Sequence, residues 1–122
     1  MAVGLELVVL RCGDVGRSRA FYEALGLRFV AEQHATGPAH LAAALADGVV
    51  VELYPAEGEP TAPERGSVGD VRLGFVVAPF EAVLDQLAAA GAVVPAPGGG
   101  QAVVTDPDGR RVVVTDGGRQ RG

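Results

Sequence analysis

The sequence predicts an α+β fold built from two pseudo-symmetric βαβββ modules whose curved sheets enclose a cleft. Short β-branched runs surround two segments of helical periodicity, and both halves repeat the order strand, helix, strand, strand, strand. Glu52 follows Gly48 by four residues, and Val113 follows Gly109 by the same offset. Because a half of roughly 55 residues buries too little surface to be stable alone, we expect both halves to form one domain over residues 1–122.

The first module, at residues 4–55, contains one predicted helix and four predicted strands. Asp14 is a suitable N-cap for the helix, Phe21, Ala24 and Leu25 form its buried face, and Gly26 ends it. The strands are predicted from β-branched and apolar runs. They are Leu5–Leu10, Leu27–Ala31, His40–Leu45 and Val49–Tyr54, with a hairpin turn at Asp47-Gly48.

A proline-rich segment at residues 56–69 is the predicted linker to the second module, at residues 70–116. The helix of this module has apolar residues at i, i+3, i+4, i+7 and i+8: Phe80, Val83, Leu84, Leu87 and Ala88. Pro79 suits its first turn and Gly91 its end. The predicted strands are Val71–Val77, Ala92–Val94, Gln101–Thr105 and Arg110–Thr115, and residues 117–122 are expected to fray.

Composition excludes several classes of protein. The longest apolar stretches are too short for a membrane span, the N-terminus lacks the pattern of a secretory signal, and the single cysteine, Cys12, cannot form an internal disulfide. A net charge of −5 at pH 7 with scattered cations argues against a nucleic-acid partner. We therefore expect a cytoplasmic protein that contacts neither membrane nor nucleic acid.

Two motifs give the chain a resemblance to a known family. The run Val9–Tyr22 contains Asp14-x-x-x-Ser18-x-x-Phe21-Tyr22, it is followed by Leu25-Gly26-Leu27, and Asp106-Pro107-Asp108-Gly109 precedes a β-branched strand. Together they resemble the vicinal oxygen chelate superfamily, which includes glyoxalase I, the bleomycin-resistance proteins and the extradiol dioxygenases. Most of these residues cap a helix, pack it or form a turn, so the motifs indicate the fold rather than an activity.

The resemblance also indicates where metal-dependent members of this superfamily hold a divalent ion. Carried over position by position, the four ligand sites fall on Leu7, Glu52, Arg72 and Val113. Leucine and valine have no lone pair to donate, and a guanidinium repels a cation. One carboxylate does not hold a transition metal. The chain is thus closest in type to metal-free, bleomycin-resistance-like members, with no metal ligands and no cofactor.

Glu52 and Arg72 are the candidate catalytic residues. If the four positions face one another as in the superfamily, these two side chains form an ion pair where relatives place the metal, and removal of one partner leaves an uncompensated charge. The alternative is that Arg72 points outward from a strand edge while Glu52 is half-solvated. Tyr54 lies two residues beyond Glu52 and shares its face in an extended strand, which makes it the aromatic candidate for ligand contact.

The two histidines, His34 and His40, flank a turn at Thr36-Gly37-Pro38. With no second ligand cluster within reach in the sequence, a zinc site is not predicted. His40 is interpreted as a surface or strand-end residue, with a hydrogen bond to a ligand as the alternative.

Five further residues are interpreted as structural. Cys12 is expected to be a small buried apolar residue, since no histidine or asparagine supports it as a nucleophile. Asp106 and Asp108 are interpreted as hairpin residues rather than a catalytic pair. Arg110 and Arg111 are expected to be solvated.

These observations predict a metal-independent small-molecule binding protein, a homodimer that sequesters an antibiotic or other natural product between its modules. The ligand site would comprise Leu7, His40, Glu52, Tyr54, Arg72 and Val113. The acidic charge favours a cationic or amphipathic ligand. One alternative is a metal-free lyase, isomerase or cyclase in which Glu52 is the general base and Arg72 stabilises an anion. A structural or regulatory module is a third possibility, because fold does not determine function.

Overall fold

A computed structural model describes residues 2–56 and 71–118, and it confirms the α+β class. The elements in chain order are β1 Leu7–Cys12, α1 Val15–Leu25, β2 Val30–Glu32, β3 His40–Ala44, β4 Val50–Pro55, β5 Leu73–Val77, α2 Phe80–Ala89, β6 Gln101–Thr105 and β7 Arg111–Asp116. The predicted linker, apart from Ala56, and residues 119–122 of the predicted tail lie outside the described residues. Neither helix has the length and hydropathy to cross a membrane.

The strands form two sheets of related topology. Sheet A has the order β1-β4-β3-β2 and sheet B the order β5-β7-β6, and in each sheet the first strand of the module runs parallel to the last. Glu52 pairs with Val9 in sheet A, and Val113 pairs with Gly74 in sheet B. The equal offsets of Glu52 and Val113 in the sequence therefore correspond to equivalent positions in the two sheets.

Both predicted helices are present, with the expected signals at three of their four ends. The side chain of Asp14 accepts a hydrogen bond from the backbone nitrogen of Arg17 at 3.0 Å and so caps α1. Gly26 ends α1 with φ 118°, and Gly91 follows α2 with φ 96°, a region in which a side chain is strained. Pro79 precedes α2 and makes no side-chain cap.

The predicted strand Ala92–Val94 is wrong: these residues are irregular, and the described part of sheet B has three strands. Proline follows at positions 95 and 97 and removes two backbone donors that an added strand would use. Val93 is exposed, so no burial compensates for the missing hydrogen bonds.

One hydrophobic core joins the modules. Helix α1 packs against α2 and β4. The core includes residues from both helices and from one face of each sheet, among them Leu10, Phe21, Leu53, Leu84, Leu87, Val104, Val112 and Val114. Because side chains alternate along a strand, the other face of each sheet points away from this core. We call these surfaces open face A and open face B.

A buried polar network also links the modules. The Tyr22 hydroxyl of α1 donates to Asp106 Oδ2 at 2.7 Å, and the Ser18 hydroxyl donates to Asp108 Oδ2 at 3.3 Å. Asp108 Oδ1 additionally accepts from the backbone nitrogen of Gly13 at 3.0 Å. The motif residues of the first module thus bind the hairpin of the second, which explains their presence without catalysis.

Arg110 completes this network, so its prediction as a solvated residue is wrong. Its Nη1 lies 3.1 Å from Asp106 Oδ2 and 3.5 Å from Asp108 Oδ2, and its side chain is 12% exposed. Nη2 donates to the backbone carbonyl of Arg11. Asp106 and Asp108 do occupy the β6–β7 turn as predicted, but their carboxylates point inward because a guanidinium and a hydroxyl are available there as partners.

The buried hydroxyl predicts a loss of stability in alkali. Burial, and next the negative charge of Asp106, raise the pKa of Tyr22 well above its ordinary 10.0. The unfolded chain releases this proton near pH 10 while the folded chain keeps it, so the free energy of unfolding falls by about 1.4 kcal/mol per pH unit above that point. Burial also raises the pKa of Cys12 from its ordinary 9.0. The free energy of unfolding therefore falls for a second reason, and this fall begins at a lower pH than the one due to Tyr22.

Tyr22→Phe should remove the part of this slope that Tyr22 contributes and leave the part that Cys12 contributes. Urea unfolding of both proteins between pH 8 and pH 11 measures the difference. Identical slopes for wild type and variant above pH 10 would show that Tyr22 is not held in its protonated form by the fold.

Candidate functional site

Open face A combines apolar and polar residues. Its members, read from the alternation along the four strands, are Leu7, Val9, Arg11, Val30, Glu32, His40, Ala42, Ala44, Val50, Glu52 and Tyr54. Val9 is 48% exposed and Val30 is 60% exposed. An exposed group of apolar side chains beside charged ones is typical of a surface that binds something.

His40 is the centre of the polar part. Its ring stacks on that of Tyr54, with centroids 4.2 Å apart and an interplanar angle of 10°. Nε2 lies 3.3 Å from Glu32 Oε1, 3.4 Å from Glu52 Oε2 and 3.5 Å from the Tyr54 hydroxyl. Although His40 begins β3 as predicted for a strand-end residue, its side chain is only 1% exposed, so it is not a surface histidine.

The second histidine adjoins this group. His34 Nε2 lies 3.5 Å from Glu32 Oε1, and the rings of His34 and His40 are 5.3 Å apart. Desolvation, and next the negative charges of Glu52 and Glu32, raise the pKa of the Tyr54 hydroxyl. The polar part of open face A therefore carries negative potential that favours a cation or a hydrogen-bond donor.

The structure brings together part of the predicted site. Leu7, His40, Glu52 and Tyr54 all lie on open face A, and Val113 lies on open face B. Arg72 is exposed and precedes β5. In the chain as described, over 2–56 and 71–118, Glu52 pairs with His40 and no ion pair joins it to Arg72.

Two clefts between the modules are lined by other residues. One, of about 520 Å³, runs between Leu25–Leu27, Leu45–Asp47 and Gly74–Ala78. The other, of about 420 Å³, adjoins Ala90–Val93 and Thr105–Pro107. Neither contains any of the predicted ligand residues, so the predicted site and these clefts are different places.

Sequence reasoning missed Glu32, and it named His34 without placing it beside His40. The signal that would have found them is the hairpin around Thr36-Gly37-Pro38, since antiparallel pairing of its arms places Glu32 directly opposite His40. Cys12, by contrast, is fully buried in the core as expected.

Comparison with known sequences gives one significant result. A sequence profile described as the Glyoxalase/Bleomycin resistance protein/Dioxygenase superfamily matches residues 4–114. No curated protein matches the chain with significance.

Solved structures with this fold come from proteins with different described roles. TnmS3, an antibiotic binding protein from a Streptomyces species, is 25% identical, with 95% of this chain and 98% of that chain covered and a TM-score of 0.66. The fosfomycin resistance protein FosX from Mesorhizobium loti is 18% identical, with 96% and 94% covered and a TM-score of 0.70. A possible glyoxalase from Bacillus cereus is 21% identical, with 93% and 99% covered and a TM-score of 0.65.

Proposed function

The chain belongs to the glyoxalase/bleomycin resistance protein/dioxygenase superfamily, and from that membership we propose that it binds a small organic molecule on its open faces. The observation that carries the proposal is open face A, where half-exposed Leu7, Val9 and Val30 adjoin the acidic group around His40. Such a surface suits a ligand with an apolar body and a cationic or hydrogen-bonding end. Binding would need no metal at the four positions carried over from the superfamily.

In this proposal a second copy of the chain covers the ligand on the side opposite open face A. Open face B also exposes apolar residues, Val76 and Val103. Both open faces point away from the shared core, so a second molecule can cover them. In a two-fold homodimer each open face A would lie against the partner's open face B, which buries both and yields two identical sites.

The natural class of ligand is an antibiotic or related natural product. TnmS3 is described as an antibiotic binding protein and FosX as a fosfomycin resistance protein. Proteins with this fold therefore include one that binds an antibiotic and one that confers resistance. A net charge of −5 would attract a cationic compound. The metal-free enzyme alternative, with Glu52 as base and Arg72 as anion stabiliser, stays a prediction: within one chain Glu52 contacts His40. The single cysteine fits the reducing cytoplasm, where we place the protein.

Fragment mapping by NMR tests this proposal. A library of neutral and cationic aromatic fragments is titrated into isotope-labelled protein in buffer with a chelator. We expect hits to shift the backbone amides of Val9, Glu52 and Tyr54, and the same hits to shift Val103 and Val113, because two copies bring both faces together. Shifts confined to Leu25–Leu27 and the adjoining cleft, or no shifts at all, would contradict the proposal.

A further inference from the structure

We propose that Glu32, His34 and His40 form a binding site for a divalent transition-metal ion of the zinc type. Each offers one ligand atom, and the three atoms lie within 4.8 Å of one another. Two imidazole nitrogens and one carboxylate oxygen are a ligand set that zinc uses when a fourth position stays open. The inference does not depend on the proposed ligand site, since the ion would be held by side chains of one chain.

Two of the three distances between these atoms match a tetrahedral site, and the third, between the nitrogens of His34 and His40, is at most 4.8 Å. With ligands at about 2.0–2.1 Å, two atoms of a tetrahedral site are separated by about 3.3–3.4 Å. Glu32 Oε1 lies 3.3 Å from His40 Nε2 and 3.5 Å from His34 Nε2. Glu32 and His40 therefore need little movement to share one ion, and the His34 side chain, which is 73% exposed, has room to approach it.

The hydrogen bond on the far side of His40 indicates which nitrogen is available. Nδ1 lies 3.2 Å from the carbonyl oxygen of Pro38, and a carbonyl only accepts, so Nδ1 must carry the proton. A backbone carbonyl in this place is the usual outer partner of a metal-binding histidine.

The opposite nitrogen, Nε2, then faces the carboxylates of Glu32 and Glu52 at 3.3 Å and 3.4 Å. In the neutral ring this nitrogen carries a lone pair, and the Tyr54 hydroxyl, 3.5 Å away, is a donor available to it. A metal ion placed between the nitrogen and the carboxylates would accept lone pairs from both sides. Because the His40 side chain is buried and His34 aims a further nitrogen at the same carboxylate, a shared ion satisfies all of these groups at once.

The proposed site differs from the superfamily positions. Those positions are at Leu7, Glu52, Arg72 and Val113, whereas this site uses β2, the following hairpin and β3. Glu52 is outside the group of three ligand atoms but contacts His40, so it is placed to orient that ring or to complete the ion's shell. Imidazole and carboxylate ligands together favour Zn²⁺, Ni²⁺ or Cu²⁺ over Mg²⁺ or Ca²⁺.

Metal titration tests the site directly. Tag-free, chelator-treated full-length chain is titrated with ZnCl₂ by calorimetry, and separately with CoCl₂, whose visible absorption reports tetrahedral coordination. The variants are His34→Gln, in which the replaced side chain is 73% exposed and thus separable from folding, and Glu32→Gln. Glu81→Gln, an exposed acidic residue of α2, is the matched control.

We expect one Zn²⁺ per chain in wild type and in Glu81→Gln. The affinity should be at least 10-fold lower in His34→Gln and in Glu32→Gln. Tetrahedral Co²⁺ absorption should be present only in the proteins that keep both His34 and Glu32. Absence of zinc binding would show that these three side chains do not form a metal site. Zinc bound equally by all variants would show adventitious binding elsewhere. Either result overturns the inference and leaves the fragment mapping, done in chelator, unaffected.

Discussion

Asp106→Ala should lower the free energy of unfolding by about 3–5 kcal/mol. Asp106 accepts hydrogen bonds from the Tyr22 hydroxyl, from the backbone nitrogens of Asp108 and Arg110, and from the Arg110 guanidinium. Within the described residues no buried side-chain nitrogen or oxygen lacks a partner. Removal of this one carboxylate leaves the largely buried Arg110 cation with only the more distant Asp108 as its anionic partner in the part of the chain that the structure describes. It also leaves several donors without their acceptor, and unpaired buried groups cost far more than their pairing contributes.

Urea unfolding against a matched control measures the effect. Asp85→Ala removes the same group from an exposed position of α2 and should change the free energy of unfolding by less than about 0.5 kcal/mol. Asp106→Asn keeps one acceptor oxygen, so its loss in free energy of unfolding should lie between those of Asp106→Ala and Asp85→Ala. If Asp106→Ala stayed within about 1 kcal/mol of wild type, the network would not be the link between modules that its geometry indicates.

The sequence was sufficient for the elements whose signals are local. Helix signals are of this kind: the cap at Asp14, the stop at Gly26 and the apolar face of α2 each involve residues within one or two helical turns. Their neighbours in sequence are therefore also their neighbours in space. Val93 shows the limit of this reasoning: a β-branched run predicts a strand, but a strand also needs an edge to pair with and donors to pair through. Pro95 and Pro97 removed those donors.

The polar groups escaped prediction because their partners are distant in the chain. Tyr22 and Asp106 are 84 residues apart, and nothing near Arg110 in sequence indicates that its guanidinium turns inward. The cluster of Glu32, His34 and His40 required the register of one hairpin. Glu52 was identified from the resemblance, yet its true neighbour His40 comes from the adjacent strand rather than from Arg72.

Val9→Asp should weaken binding of a neutral small-molecule ligand by about 100-fold, or about 2.7 kcal/mol. Val9 is the half-exposed neighbour of Glu52 on open face A. A carboxylate there would be buried without a partner under an apolar ligand and would repel the nearby Glu52. Because the side chain is not in the core, folding should tolerate the change at a cost of about 1 kcal/mol.

Calorimetric titration of the best neutral fragment hit into wild type, Val9→Asp and Val3→Asp tests the central claim most directly. Val3 is fully exposed and precedes β1, so Val3→Asp adds the same charge away from the open faces. The open-face account predicts unchanged affinity for Val3→Asp and a loss of about 100-fold for Val9→Asp. Equal affinities in all three proteins would contradict it.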